Sequence, residues 1–484
     1  MKWHVPVLTI VAAAALTAAA PRAPTPSACR VPGLSLPARC GTLDVREGAA
    51  SARTIAMRYI VVPAVRRNAG AVFVILGGPG QAAAADIAVF LGGSSPFTSM
   101  LGIHADHDLV FADQRGTGGS HPLNCPNLYA SRTESFAEIY PSAPLRRCRE
   151  KLAATSDLNA YGTRQAVDDL EALRKALGYD NISIDTGSYG SQVAFEYLRR
   201  YPSSLRAVLL EAVAPTYAKI PLPFTRAAQR ALDELEGSCA RDAACARAYP
   251  DFSSEWSAVN DRFIHGPQRI SFHDGHTTTT VMLSREVFAD NVRHLLYDPF
   301  FAAALPAAIH AAARDDYGPL AKLIAAQIDG FKNELAYGMF FSVSCSEDVA
   351  FISAADRAMA SRQGFLSDLR IRAQQRACAI WNVRRAPASW MLPVRSKVPV
   401  LMISGADDPA APAWLGASQL PYLADARQLI VANGGHNNED ACLAQIRIAF
   451  IDRPDPKAAR QTCAQRFTRP PFVTDFDPWY RKFF

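Results

Sequence analysis

The sequence predicts an α/β protein in which a mostly parallel central sheet is interrupted by an inserted, mainly helical cap. Short apolar, β-branched runs at residues 71–76, 108–111, 182–185, 207–213, 398–404 and 428–431 have the length and composition of strands buried on both faces. Segments of helical periodicity separate several of them, the alternation that builds parallel sheets through crossover connections. Between Pro215 and about Pro393 this rhythm stops, and the stretch reads as helical apart from one hairpin near residues 270–282. The expected organisation is therefore a first core segment over 31–215, a cap over 216–392 and a second core segment with a C-terminal tail over 393–484.

In chain order, the first recognisable core strand, AVFVIL at 71–76, ends in Gly77-Gly78-Pro79-Gly80, and the second, at 108–111, is followed by Asp113-Gln114-Arg115-Gly116. A helix is expected over 164–177, because Val167, Leu170, Leu173 and Leu177 recur at three- and four-residue spacing and Gly178 stands where a left-handed C-terminal cap belongs. The strand at 182–185 then leads through a turn of small residues into the helical QVAFEYLRRY and a further strand at 207–213. After the cap come a strand at 398–404, a helix near 412–423, a strand at 428–431 and a helix around 440–450. A cap placed over the carboxyl ends of these strands would roof the region where open α/β sheets bind ligands.

Of the 484 residues, 49% are hydrophobic and 20% charged, which excludes a disordered chain or a protein of many membrane spans. Basic residues exceed acidic ones by only 6 and form no block of like charge, so no nucleic-acid partner is expected. The apolar stretch VPVLTIVAAAALTAAA behind Lys2 falls short of the ~20 residues needed to span a bilayer. It predicts a signal peptide over residues 1–20, with cleavage as late as about 28, and hence a periplasmic or extracellular protein without a stable membrane span. The even cysteine count agrees with an oxidising compartment: Cys29, Cys40, Cys125, Cys148, Cys239, Cys245, Cys345, Cys378, Cys442 and Cys463 would form five disulfides, and pairing chain neighbours closes the loops locally. The cysteines are dispersed and lack a CxxC pair, and His273-x-x-His276 stands alone in a hairpin, so neither a metal nor a cofactor is expected.

Thr186-Gly187-Ser188-Tyr189-Gly190, between a strand and a helix, has the small residues that a nucleophile elbow requires, with Thr186 in place of the usual first glycine. An acid and then a histidine should follow, each after a late strand. Asp408, preferred over Asp407 because Pro409 marks the turn, and His436, behind Gly434-Gly435, meet that requirement. The order Ser188, Asp408, His436 is that of an α/β hydrolase, with the histidine moving the serine proton and the aspartate fixing its tautomer. The backbone N–H groups of Gly78 and Tyr189 are the candidate oxyanion donors. Arg115 reads as a brace between loops.

The segment LGGPG, the loop DQRGTGGS, the helix RQAVDDLEALRKALGY, the elbow GSYGS, the late GADDP and GGH, and CSED and CAIW in the cap together resemble the prolyl iminopeptidase family of α/β hydrolases. The similarity is greatest to its secreted, tripeptidyl-aminopeptidase-like branch. Leu76 departs from the histidine of the HGGPG form. The resemblance implies the same triad and cleavage behind an N-terminal residue or short peptide. A free α-ammonium group would then need a carboxylate, for which Glu347 is the first candidate, followed by Asp348 and Glu211. The expected substrate is thus a peptide with a free N-terminus. The competing expectations are an esterase or amidase acting on small molecules and, in another class, an inactive binding protein on the same fold.

Overall fold

In the structure, a computed structural model, the described residues are 25–48, 51–66, 68–92, 98–129, 131–273 and 278–483. The expected signal peptide lies outside them, as does His276. Eleven strands are described: β1 (Ser27–Cys29), β2 (Ala38–Arg46), β3 (Thr54–Val62), β4 (Ala71–Ile75), β5 (Asp108–Ala112), β6 (Ile182–Gly187), β7 (Leu205–Glu211), β8 (Gln268–His273), β9 (Thr278–Leu283), β10 (Val400–Gly405) and β11 (Ala426–Val431). Nine form one sheet in the order β1-β2-β3-β5-β4-β6-β7-β10-β11, while β8 and β9 make a separate antiparallel hairpin. From β5 to β11 all pairings in the sheet are parallel, and β1, β2 and β3 extend it antiparallel beyond β5.

The parallel strands are buried on both faces because successive side chains point to opposite sides. Phe73 and Ile75 of β4 enter one hydrophobic cluster with Ile184, Val208 and Met402, while Val72 and Val74 enter another with Phe111, Leu209, Ile403 and Leu429. The last helix before β6 spans Thr163–Leu177 and buries Val167, Leu170 and Leu173. Gly178 closes it at φ 79°, donating to Arg174 O. That position has no neighbour for a Cβ to meet, so the backbone conformation alone selects glycine.

Three strands were not anticipated. In β2 and β3 alternate residues are buried (Leu43 and Val45; Ile55, Met57 and Tyr59), a period-two pattern that leaves the charges Asp44 and Arg58 on the other face. Between β7 and β10 lie the hairpin and a series of helices that includes Phe224–Arg241, Phe252–His265, Arg285–Leu295, Gly318–Glu334, Tyr337–Glu347 and Leu369–Trp381.

The ten cysteines form five disulfides between chain neighbours: Cys29–Cys40, Cys125–Cys148, Cys239–Cys245, Cys345–Cys378 and Cys442–Cys463. Among the described residues no single helix is long and apolar enough to cross a membrane, and no group of His, Cys, Asp or Glu side chains is arranged to hold a metal ion.

Candidate active site

The loops that follow β4, β6, β10 and β11 meet over the carboxyl edge of the parallel sheet. They border a cavity of about 590 Å³ that helices Arg285–Leu295, Gly318–Glu334, Tyr337–Glu347 and Leu369–Trp381 help to wall. Ser188, His436, Gly77, Gly78 and Tyr189 all line it.

Ser188 sits between β6 and helix Tyr189–Arg200 at φ 57° and ψ −129°, a region that non-glycine residues rarely adopt. Its N–H donates to Glu211 O on β7 at 3.0 Å, and its carbonyl accepts from Ser191 N at 2.9 Å, so neighbours on both sides hold the strained turn. The chain must also pass close to its surroundings. A Cβ at Gly187 would lie 3.2 Å from Glu211 O, and one at Gly77 3.0 Å from Ser188 Cβ. The departure at Thr186 has a local reason: its hydroxyl donates to Ile75 O at 2.7 Å, tying β6 to the end of β4. This occupies the space that a side chain on Gly190 would need, because a Cβ there would stand 1.8 Å from Thr186 Oγ1. Gly190→Ala is therefore expected to shift the elbow and lower kcat by about 10²-fold, the scale of a misplaced reacting group. Steady-state kinetics should show partial recovery when Thr186→Gly is added. Equal losses in the single and double variants would refute the clash.

His436 Nδ1 faces both oxygens of Asp408, at 3.0 and 2.9 Å. Oδ1 of Asp408 also accepts from the N–H groups of Ala410 (2.8 Å) and Ala411 (2.9 Å). Burial pushes the Asp408 carboxyl up, but His436 and these two donors outweigh it and hold the group below the ordinary carboxylate range. Asp407, the competing acid, points elsewhere and pairs with Arg469. The His436 backbone N–H donates to Tyr297 O at 2.6 Å, and the Tyr297 ring packs 4.6 Å from the imidazole, so a residue just beyond helix Arg285–Leu295 seats the histidine. Gly78, at φ 101°, would bring a Cβ within 2.8 Å of Gly80 N and 3.0 Å of Leu335 Cδ2, so the oxyanion-loop candidate is confined from both sides.

The three carboxylates considered for an ammonium group fall in different places. Glu347 does not border the cavity. Its oxygens accept from Thr163 N (2.7 Å) and Thr163 Oγ1, and that hydroxyl is 2.8 Å from the phenol of Tyr189, so Glu347 anchors the residue that follows Ser188. Glu211 reaches the cavity but is committed to Arg447 (2.7 Å) and Asn438 N (2.6 Å). Asp348 borders the cavity without a cation among the described residues, accepting from Ile220 N at 2.9 Å, and burial pushes its carboxyl up to about 7.

Burial also raises Glu347 to about 8, against the pull of the two Thr163 donors. Its protonated form is thus favoured in the folded state. The resulting stability is complete below the ordinary carboxyl value near 4.5 and is lost as pH climbs through about 8. Glu347→Gln should accordingly flatten the decline in unfolding temperature between about pH 5 and pH 9. An unchanged slope would mean that the carboxylate stays ionised throughout.

Arg115 is a brace, as its loop suggested. It donates to Asp169 through Nε (2.7 Å) and Nη2 (2.6 Å), and to the carbonyls of Glu47, Ala160 and Arg46. In the same loop Asp113 accepts from Ala84 N (2.8 Å) and Gly119 N (2.8 Å), fixing the chain beyond Gly80. Sequence reasoning did not single out Asp113, Asp169, Tyr297 or Arg447. Asp113 was the most accessible of these, since an acid in a Gly-rich loop commonly caps nearby N–H groups.

The family model described as the alpha/beta hydrolase fold matches residues 71–233, and that of the TAP-like proteins matches residues 365–463. Together these take in more than half of the chain, including the elbow, the late acid and the histidine. The chain belongs to the α/β hydrolases. This hydrolase is 30% identical to the serine protease Hip1 of Mycobacterium tuberculosis over 209 residues, which is 39% of each chain. It is 27% identical to the Escherichia coli hydrolase YuaR over 195 residues, 38% of this chain and 37% of that one. The hydrolase thus spans less than half the length of these two relatives. A longer match joins it to the carboxylesterase B of M. tuberculosis, 27% identical over 413 residues, covering 78% of this chain and 76% of the other. Among solved structures, the proline iminopeptidase of Mycobacterium smegmatis aligns at a TM-score of 0.38 and 16% identity, over 88% of this chain and 97% of that one.

Proposed function

We propose that the protein is an exported serine hydrolase that removes proline, another single residue or a tripeptide from free peptide N-termini. The observation that carries this reading is the Asp408–His436 Nδ1 pair, converging with the strained Ser188 on one cavity. In the reaction, Ser188 Oγ attacks the scissile carbonyl while His436 Nε2 takes its proton. Asp408 holds the imidazole in the required tautomer and stabilises the imidazolium. The N–H groups of Gly78 and Tyr189 receive the oxyanion. His436 then protonates the leaving amine, and water activated by the same imidazole releases the acyl group from Ser188. Asp348 is the carboxylate best placed for the substrate ammonium, since it alone of the three candidates both borders the cavity and lacks a cation. Residues 216–392 act as the cap over this site, and the five disulfides together with the apolar leader favour an oxidising location.

The test compares mature protein with Ser188→Ala on prolyl, alanyl and tripeptidyl anilides, each with free and acetylated N-termini, and on a p-nitrophenyl ester. Turnover of the free forms only, falling at least about 10³-fold in the variant, is expected. An esterase or amidase is the second reading, supported by the length of the match to the carboxylesterase. Turnover of the ester alone, indifferent to the amine, would select it.

A further inference from the structure

A second polar cluster borders the cavity on its cap side. Asp290 and Arg293 come from helix Arg285–Leu295, Tyr297 from the turn beyond it, Arg370 from helix Leu369–Trp381, and Tyr140 from the segment before residue 142. All are nine-tenths or more buried except Tyr297. Asp290 Oδ1 accepts from Arg293 Nε (3.1 Å) and Nη2 (3.0 Å), and Oδ2 accepts from Arg370 Nη1 (2.5 Å). Two guanidinium groups therefore share one carboxylate. His294, beside them, adds no charge, because burial and then Arg293 push its imidazole well below the ordinary range. Asp408, which acts on Tyr297, is itself opposed by His436.

The cluster thus carries one positive charge in excess inside a cavity, a costly arrangement unless an anion completes it. It also has donors to spare. Among the described residues, Arg370 donates besides Asp290 to Tyr140 Oη (2.5 Å) and Gln374 Oε1 (3.3 Å), which uses three of its five N–H groups. Tyr140 and Tyr297 accept from the arginines, leaving both phenolic O–H groups to point at a further acceptor. A planar fork flanked by hydroxyl donors matches a carboxylate.

We propose that Arg293, Arg370, Tyr140 and Tyr297 form a subsite for a substrate carboxylate, the C-terminal carboxylate of the departing peptide. This rests on the aminopeptidase reading above. The Arg293 guanidinium carbon lies 5.0 Å, and the His436 ring 4.6 Å, from the Tyr297 ring centre, so the two groups are within about 10 Å of each other. An extended chain advances ~3.3–3.6 Å per residue, so the span accommodates a leaving portion of at most about three residues. His436 must protonate the leaving amine, which places this portion on the side that Tyr297 borders. The preferred substrates are then short peptides with both ends free, the products of prior endoproteolysis, rather than intact protein N-termini.

The test measures calorimetric binding of three ligands to the Ser188→Ala protein: acetyl-Ala-Ala with a free C-terminus, the same dipeptide as its amide, and acetyl-Asp-Ala-amide, whose only carboxylate is a side chain. None needs a free amine or turnover. The free acid is expected to bind at least tenfold more tightly than its amide. Adding Arg370→Gln should abolish that difference, and Arg370→Lys should retain part of it. Equal binding of acid and amide overturns the subsite, and this comparison needs no arginine variant to fold. Binding of the aspartyl amide as tight as that of the free acid would overturn the C-terminal assignment in favour of an acidic side chain. A preference for the acid, combined with no turnover of any free-amine peptide by the Ser188 protein, would sustain the carboxylate subsite while the aminopeptidase reading fails.

Discussion

Asp408→Asn should lower kcat by about 10⁴-fold while leaving the unfolding temperature nearly unchanged. Asp408 Oδ1 already accepts from the N–H groups of Ala410 and Ala411, so the asparagine oxygen will stay there and its amide nitrogen will face His436 Nδ1. An amide N–H in that place donates to Nδ1 and forces the proton onto Nε2, the nitrogen that must accept from Ser188. The ring keeps its position, since the Tyr297 ring still packs against it and Tyr297 O still holds the His436 backbone N–H. The measurement is kcat on the best substrate of the panel, with thermal unfolding as the control. A loss of less than about tenfold would show that Asp408 does not govern the tautomer.

The largest expected loss of stability follows from Arg115→Met. Arg115 is 2% exposed and Asp169 4%, so truncating the guanidinium strands a buried carboxylate as well as the carbonyls of Arg46, Glu47 and Ala160. Breaking a buried pair by removing one partner costs about 3–5 kcal/mol. Urea unfolding should show this as a lower midpoint at an unchanged slope. Adding Asp169→Leu should restore part of the loss, because the unpaired charge is then gone. A cost below about 1 kcal/mol for the single variant would mean that water reaches Asp169.

The cluster around Asp290 and the set Ser188, Asp408 and His436 differ in how far a reader of the chain can foresee them. Ser188, Asp408 and His436 each follow a strand that local composition reveals, and each is flanked by Gly or Pro in a turn that needs those residues. Arg293 and Arg370 lie inside helices, where an arginine ordinarily faces water. Only the fold brings them onto one carboxylate, Asp290, with Tyr140 donated from a distant loop. The antiparallel strands β2 and β3 escape notice for a related reason: charges on their exposed positions dilute the apolar signal, and what makes them strands is pairing with each other and with β1 and β5.

By itself, the sequence determined the alternating α/β core, the strand–turn–helix setting of Ser188 and the places of Asp408 and His436 after later strands. These depend on interactions within a few residues: apolar periodicity, β-branching and the backbone freedom of glycine. Tertiary structure alone decided what each polar side chain faces. Glu347, adjacent to Asp348 in the chain, turns away from the cavity to hold Thr163, while Asp348 lines it. Asp407 goes to Arg469 and Asp408 to His436. A carboxylate's role is set by the donors and cations that close around it on burial, and here those come from residues far away in the chain.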